Sequence, residues 1–320
     1  MTKLQLVDSG TPLVYIILPC YNWEKYLLEQ LMSIYYQNYN NWYLILIIDW
    51  ATDNSENIAR DFVAHYKLHD KVKIITKENG GVNSAIQRWL EEVKKMCDID
   101  NSNNYISFCD QDDIWTREKF NIQVNYMREN PTCDLSYHDS AVVDENWILT
   151  GISQQRITNH SSLSFFYFGI VWNQIASNRI LFKAKHINNI LPMAIWRWIC
   201  QDERVFLVFS LLGAKIDYIN KKLTYHRQWH QSLWRVLMEQ YWETHWPDKQ
   251  KMYLFLQKRF PEKDLSYIIK YNYDRYVKWN PKYWSTSFKT YLLILFNYPK
   301  AFYCLLKAFI YMKIWMLIKE

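Results

Sequence analysis

A chain of 320 residues that is 50% hydrophobic has enough material for a sizeable core in one or two domains, which excludes a disordered or collagen-like protein. Its net charge of +6 fits an acidic small-molecule substrate or an anionic membrane surface, and makes no case for nucleic acid. Six cysteines without a CxxC pair speak against a zinc centre or a redox motif, and the opening MTKLQLVDSG has no apolar signal core, so the expected compartment is the reducing cytoplasm.

Residues 13–19 (LVYIILP) read as a buried strand, and residues 24–37 carry apolar side chains at helical spacing. Residues 43–49 (YLILIID) form a second buried strand, after which Asp53 can cap a helix running to His65. Residues 71–76 give a third strand, 83–96 a third helix and 104–110 (NYISFCD) a fourth strand, with a helix starting at Thr116. Strands alternating with helices predict an α/β protein whose mostly parallel sheet is covered on both faces. Ligands in such sheets bind beyond the carboxyl ends of the strands. Here those ends are 19–22, 49–53, 78–83 and 110–113. From about Asp134 the rhythm breaks into shorter elements, and 211–226 reads as a strand pair or a strand and loop. After Trp234 the chain becomes helical, aromatic and basic.

The strongest chemical signal is FCDQDDIW, residues 108–115. It places Asp110, Asp112 and Asp113 within four residues at a strand end. Like charges this close are costly without a partner. A hard divalent cation, Mn²⁺ or Mg²⁺, relieves the repulsion and can bridge to a diphosphate. The structural alternative is an acidic turn capping the next helix. Asp49 ends a buried strand and can accept from ribose or base N–H groups, whereas Asp53 reads first as an N-cap. Asp202, before an apolar helical stretch, is either a general base or a cap. His226, Arg227 and His230 lie together in YHRQWHQS, either as metal or phosphate contacts or as a polar surface loop.

Taken in order, these segments resemble the inverting family 2 glycosyltransferases of GT-A fold. IIDWATDNS resembles that family's VDDGSTD, ENGGVNSAIQRWL its NxGxxxARNxGL, and FCDQDDIW its DxD segment in the form of the rhamnosyltransferase-like branch. QDE together with the stretch ending in LTYHRQ resembles the ED and YRxH region. The match is strong over 12–130 and weaker to about 235. Ile48 stands where the family carries the first aspartate of DDGS, and Gln201 where a glutamate or histidine often precedes the catalytic aspartate. The resemblance implies a GT-A, Rossmann-like catalytic domain over 1–235. Its nucleotide-sugar half would be 12–130 and its acceptor half 131–235, with a helical C-terminal extension over 236–320. It also implies roles. Pro19, Tyr21, Asn22, Asp49, Asn83 and Asp110 would bind the donor nucleotide. Asp112 and Asp113, with His226 or His230, would hold Mn²⁺ or Mg²⁺. Arg227 would meet phosphate or acceptor, and Asp202 would deprotonate the acceptor hydroxyl. The partners implied are a nucleotide-sugar donor and a glycan or lipid-linked acceptor. A sugar nucleotidyltransferase would need a Gly-rich basic loop after the first strand, which PCYNWEK is not. An inactive nucleotide-sugar-binding relative is the remaining alternative.

Two further expectations concern aromatic residues. Residues 281–320 hold six lysines and one acid among Tyr, Phe, Trp, Leu and Ile, a pattern for an interfacial helix pair on the inner face of an anionic membrane rather than a spanning helix. The composition is also odd: 16 tryptophans and 6 glycines in 320 residues, the latter about 2% against a usual ~7%. Against the family pattern, Trp23, Trp50, Trp89, Trp147 and Trp172 fall where glycine is expected. Either the gene uses UGA for glycine and is read here with UGA as tryptophan, or the loops of a tryptophan-rich protein have adapted.

Overall fold

The computed structural model describes residues 10–49, 51–77, 90–92, 94–95, 104–153, 175–190, 201–227 and 253–262, except for the side chains of 201–203. The first strand, β1 (Val14–Cys20), shows why the chain begins as it does. Val14, Ile16, Leu18 and Cys20 face one hydrophobic cluster, while Tyr15 and Ile17 face another. A strand apolar on both faces must be covered on both. β2 (Trp42–Asp49) splits in the same way, Leu44, Leu46 and Ile48 to one side and Tyr43, Ile45 and Ile47 to the other.

β3 (Val72–Lys77), β2, β1 and β4 (Tyr105–Phe108) lie side by side, all parallel. Helix α1 (Leu27–Tyr35) follows β1, and α2 (Ser55–His65) follows β2. Leu27, Leu31, Ile34, Ala59, Phe62 and Val63 close one face of the sheet. Residues 90–92 and 94–95, within the predicted third helix, are helical.

Beyond β4 the sheet becomes mixed. β8 (Ile180–Lys183) pairs antiparallel with both β4 and β6 (Leu135–Val143). β9 (Ile216–Arg227) runs parallel to β6, and β5 (Ile114–Trp115) pairs antiparallel with β9. β7 (Leu149–Ser153) forms a hairpin with β6, completing nine strands among the described residues. The expected parallel, doubly covered sheet therefore describes β1 to β4, and an antiparallel seam at β8 joins it to the second half. Residues 211–226, expected as a strand pair or a strand and loop, contain the end of a helix and one long strand. Register shifts at His138/Asp139 and Asp139/Ser140 interrupt its ladder with β6, which explains the broken alternation in the sequence.

Helix α3 (Lys119–Glu129) starts three residues after Thr116. α4 (Gln201–Leu211) is apolar on every side from Val205 to Phe209, and those residues are buried. Gly213, at φ +68°, ends it, with its N–H on the Ser210 carbonyl and the Ala214 N–H on Phe209. A helical segment over 253–259 adds Tyr253 and Leu256, with Phe260 just beyond it, to the same cluster as α4. Part of the predicted C-terminal region thus packs into the same core as α4. Among the described residues no helix is long and apolar enough to cross a membrane.

Candidate active site

The parallel strands deliver three loops to one end of the sheet, and polar side chains stitch them together. After β1, Asn22 adopts φ +52°, a conformation asparagine tolerates. Its side-chain carbonyl accepts the Thr52 N–H at 2.8 Å, and its amide donates to the Thr52 hydroxyl at 3.1 Å. The Trp23 N–H donates to Ser55 Oγ at 3.0 Å. Asp53 accepts the N–H groups of both Glu24, at 2.9 Å, and Ser55, at 3.0 Å. Burial alone would raise the Asp53 pKa, but these bonds outweigh it and hold the carboxyl below its ordinary value. The cap position of α2 is Asn54, which makes no side-chain capping bond; Asp53, one residue earlier, accepts the first N–H of the helix and ties that start to the β1 loop.

The acidic loop follows β4. Gln111 Oε1 accepts the Tyr21 N–H at 2.8 Å, which staples this loop to the first. Asp110 is half-buried and accepts from Ser177 Oγ at 3.3 Å, and Asp112 is half-buried beside it. Asp113 differs, being 1% exposed. Its Oδ1 lies 2.9 Å from His226 Nδ1 and receives the Arg227 N–H at 3.4 Å, while its Oδ2 has no hydrogen-bond partner among the described residues. Burial opposes charge on His226, but the adjacent Asp113 charge and hydrogen bond, with Asp110 nearby, raise its pKa to about 9. Arg227, 2% exposed, lies between two rings, its guanidinium carbon 4.0 Å from the Tyr26 ring centre and 4.4 Å from that of Trp147. Its Nη2 reaches Glu29 at 2.5 Å. These contacts bind the end of β9 to α1 and to the β6–β7 turn.

Beneath the loop lies a polar layer that sequence reasoning missed. Gln30 and Ser33, on the buried face of α1, and Gln37, just past its end, recur at helical spacing. They reach Cys109 Sγ (2.8 Å), the Trp115 N–H (3.2 Å) and the Thr116 carbonyl (2.7 Å) respectively. Lys119 is fully buried, donates to Gln123 Oε1 at 2.9 Å, and lies 4.4 Å from the Trp115 ring centre. Burial lowers its pKa to about 7, against the pull of Cys109 and Asp113. Arg179, 3% exposed, is near enough for its positive charge to oppose protonation of His226 weakly. The legible signal was polar residues at core spacing: a buried glutamine needs partners, and the loop backbone supplies them.

The structure thus brings Pro19, Tyr21, Asn22, Asp49, Asp110, Asp112, Asp113, His226 and Arg227 to the ends of β1, β2 and β4 and to the end of β9, which pairs with β5 just after the acidic loop. Asn22 is engaged with Thr52, and Arg227 is enclosed, rather than lying on an open loop. Asp202 is the second residue of α4; its side chain, with Asn83, His230, Trp50, Trp89 and Trp172, lies outside the described residues. Among the described residues no three His, Cys, Asp or Glu side chains are gathered as a ready ligand set.

Comparison with known proteins bears on the family and the fold. The sequence model described as "Glycosyl transferase family 2" matches residues 15–188. The chain is 28% identical over 132 residues to the putative teichuronic acid biosynthesis glycosyltransferase TuaG of Bacillus subtilis, covering 41% of this chain and 48% of that protein. It is 36% identical over 120 residues to an uncharacterized glycosyltransferase of Haemophilus influenzae, covering 37% and 44%. The chain spans less than half the length of these curated relatives. In fold it is similar to residues 1–349 of Staphylococcus aureus TarS, solved with UDP-GlcNAc (TM-score 0.55, 15% identity, covering 87% of this chain and 75% of that one). It is similar too to the mannosyltransferase PcManGT of Pyrobaculum calidifontis, solved with GDP-Man and Mn²⁺ (TM-score 0.54, 14% identity, covering 96% and 81%).

Proposed function

The chain belongs to glycosyl transferase family 2, and from that premise we propose that it moves a sugar from a nucleotide-sugar donor to a hydroxyl of a cell-surface glycan precursor, with inversion at the anomeric carbon. The observation that carries this reading is the acidic loop at the carboxyl end of β4, stapled to the β1 loop by Gln111 and closed by His226 from β9. Ligands of such sheets bind at that edge. Asp49, at the end of β2, would take the base or ribose. Asp110 would meet the donor ribose, and Asp112, Asp113 and His226 carry the oxygen and imidazole donor types that Mn²⁺ or Mg²⁺ accepts, though among the described residues they are not gathered as a ready ligand set. When bound, that cation would supply positive charge to the departing diphosphate. Asp202, at the start of α4, would take the proton of the attacking hydroxyl. Loops tied by side-chain bonds hold these groups in place before the donor arrives, and positioning of this kind contributes to rate. The basic, aromatic stretch 281–320 supports a lipid-linked acceptor and a peripheral place on the inner face of the cytoplasmic membrane. Membership of the rhamnosyltransferase-like branch rests on the form of the DQDD loop.

The test is a screen of UDP-, GDP- and dTDP-sugars that scores released nucleoside diphosphate with Mn²⁺, with Mg²⁺ and with EDTA. Turnover with one donor, lost in EDTA, is expected. Full activity in EDTA would remove the metal from the scheme, and no release from any sugar nucleotide would count against glycosyl transfer.

A further inference from the structure

Three segments of the second half meet at one small turn. A helix end leaves its last four carbonyls without intrahelical partners, and the short helix Ile187–Ile190 is no longer than such an end. α4 answers one of these carbonyls. Arg204, 3% exposed, donates through Nη2 to the Ile190 carbonyl at 3.2 Å. Arg259, half-buried in the helical segment 253–259, donates through its own Nη2 to the Asn188 carbonyl at 2.8 Å. Apolar contact surrounds the two guanidinium groups. Ile187 and Ile190 are buried in one cluster with residues 205–209 of α4 and with Tyr253, Leu256 and Phe260. The turn is also fixed to the sheet, since His186 meets Asp134 at the start of β6 and packs its ring on Phe209.

The placement of Arg204 is costly. It is the fourth residue of α4, and positive charge is disfavoured in the first turn of a helix. Burial, and then the charge of Arg259, work against its ionised form and push its pKa down to about 9. An apolar side chain would fill the same space without that cost. What the guanidinium adds is a directional bond that fixes the first turn of α4 against a neighbouring backbone. Asp202 belongs to that same turn.

We propose that Arg204 and Arg259 are positioning residues. By gripping two carbonyls of one short helix they set where α4 begins, and so where Asp202 stands, which makes residues 253–260 of the C-terminal region part of the catalytic apparatus. This rests on the functional reading above, in which Asp202 takes the proton of the attacking hydroxyl, and deepens it by naming what holds the base.

The full chain should be compared with Arg259→Ala and Arg259→Lys, which change the more accessible arginine, and with Arg204→Met, which keeps the bulk and removes the donor. Two readings are taken: amide hydrogen exchange without donor, and turnover of the sugar nucleotide that the donor screen identifies. Arg259→Ala is expected to speed exchange in 201–211 and to leave β1 to β4 unchanged. It should lower kcat about 10- to 100-fold with donor KM unchanged, and Arg204→Met should do the same. Arg259→Lys, which can still offer one N–H to the carbonyl, should recover part of the rate. In an Asp202→Asn background, Arg259→Ala should add no further loss, because both changes act on one group. Faster exchange in 201–211 with kcat unchanged would make the arginines merely structural and overturn the inference. Unchanged exchange there would separate 253–260 from α4 and overturn it with no donor in hand. Losses from Asp202→Asn and Arg259→Ala that multiply would overturn it as well. A near-normal rate for Asp202→Asn would remove the base from α4, and this inference with it. That is a failure of the functional reading, told apart because it appears without any change at either arginine.

Discussion

Trp147 stands at φ +66° in the turn between β6 and β7. Its N–H donates to the Asp144 carbonyl at 3.2 Å, and Asp144 Oδ1 accepts the N–H groups of Asn146 at 2.8 Å and Ile148 at 2.9 Å. A turn followed by a left-handed residue is a common hairpin closure, and glycine is its usual occupant because a Cβ there crowds the backbone. The ring is 40% exposed and stacks on Arg227. Strain and stacking oppose each other, so one substitution cannot separate them, whereas a pair can. Trp147→Ala loses the ring and keeps the Cβ; Trp147→Gly loses both. The glycine variant should exceed the alanine variant by about 1 kcal/mol in urea unfolding. Equal midpoints would show that the turn carries no strain. Trp23 does not have a positive φ and donates its N–H to Ser55, so the backbone gives no reason for glycine there. UGA at codon 147 of the gene would make the native residue glycine, and UGG would make the stacked indole genuine. Asp202 is tested at this scale too. Asp202→Asn should lower kcat by about 10²- to 10⁴-fold with donor affinity retained, as read by turnover and by UDP binding. A near-normal rate would assign the base elsewhere.

Among the elements, β6 was the hardest to read. Its core positions include Ser136, His138, Asp139 and Ser140, all buried, so neither an apolar run nor an alternation marks it. Burial and the charge of Lys119 hold His138 well below its ordinary pKa, so it sits in the strand as a neutral ring. Asp134 secures the start of this strand. It meets His186 and Lys185, each at 3.0 Å, and accepts the Lys215 N–H at 3.3 Å. Burial would raise its pKa, but hydrogen bonds and charge from His186 and Lys185 prevail and depress it strongly. A depressed carboxyl contributes stability that is present above its unfolded pKa of about 3.9 and lost as pH falls toward the folded value. Asp134→Asn should therefore cost about 1–2 kcal/mol near neutral pH and flatten the acid limb of the stability profile below about pH 4. An unchanged acid limb would show that the contacts are not coupled to folding.

At the scale of the whole molecule, the tail bears on where the proposed transfer takes place. The tail beyond residue 280 carries the basic and aromatic pattern of an interfacial segment. The full chain should sediment with anionic vesicles, less so at high salt, and a chain lacking 281–320 should stay in the supernatant. Equal pelleting of the two would place the membrane contact outside residues 281–320. Residues 253–260 bear on how such a truncation is cut. Tyr253, Leu256 and Phe260 lie in the core with α4, so a boundary at 235 would expose that cluster, and one after 280 leaves it covered.

What the sequence determined by itself was the first half of the fold and the acids. Strands with apolar residues on both faces, separated by amphipathic helices, admit few arrangements, and DQDD at the end of the fourth strand is local enough to read as a string. The helix ends, the two-residue β5 and the polar strand β6 were not legible, because pairing across the sheet rather than local preference decides them. Only the tertiary structure decided how the acids differ. Asp112 and Asp113 are neighbours in sequence, yet one is half-buried and the other is enclosed by His226 and Arg227, more than a hundred residues away. A carboxylate's role depends on which charges and donors surround it, and long-range strand pairing places them there.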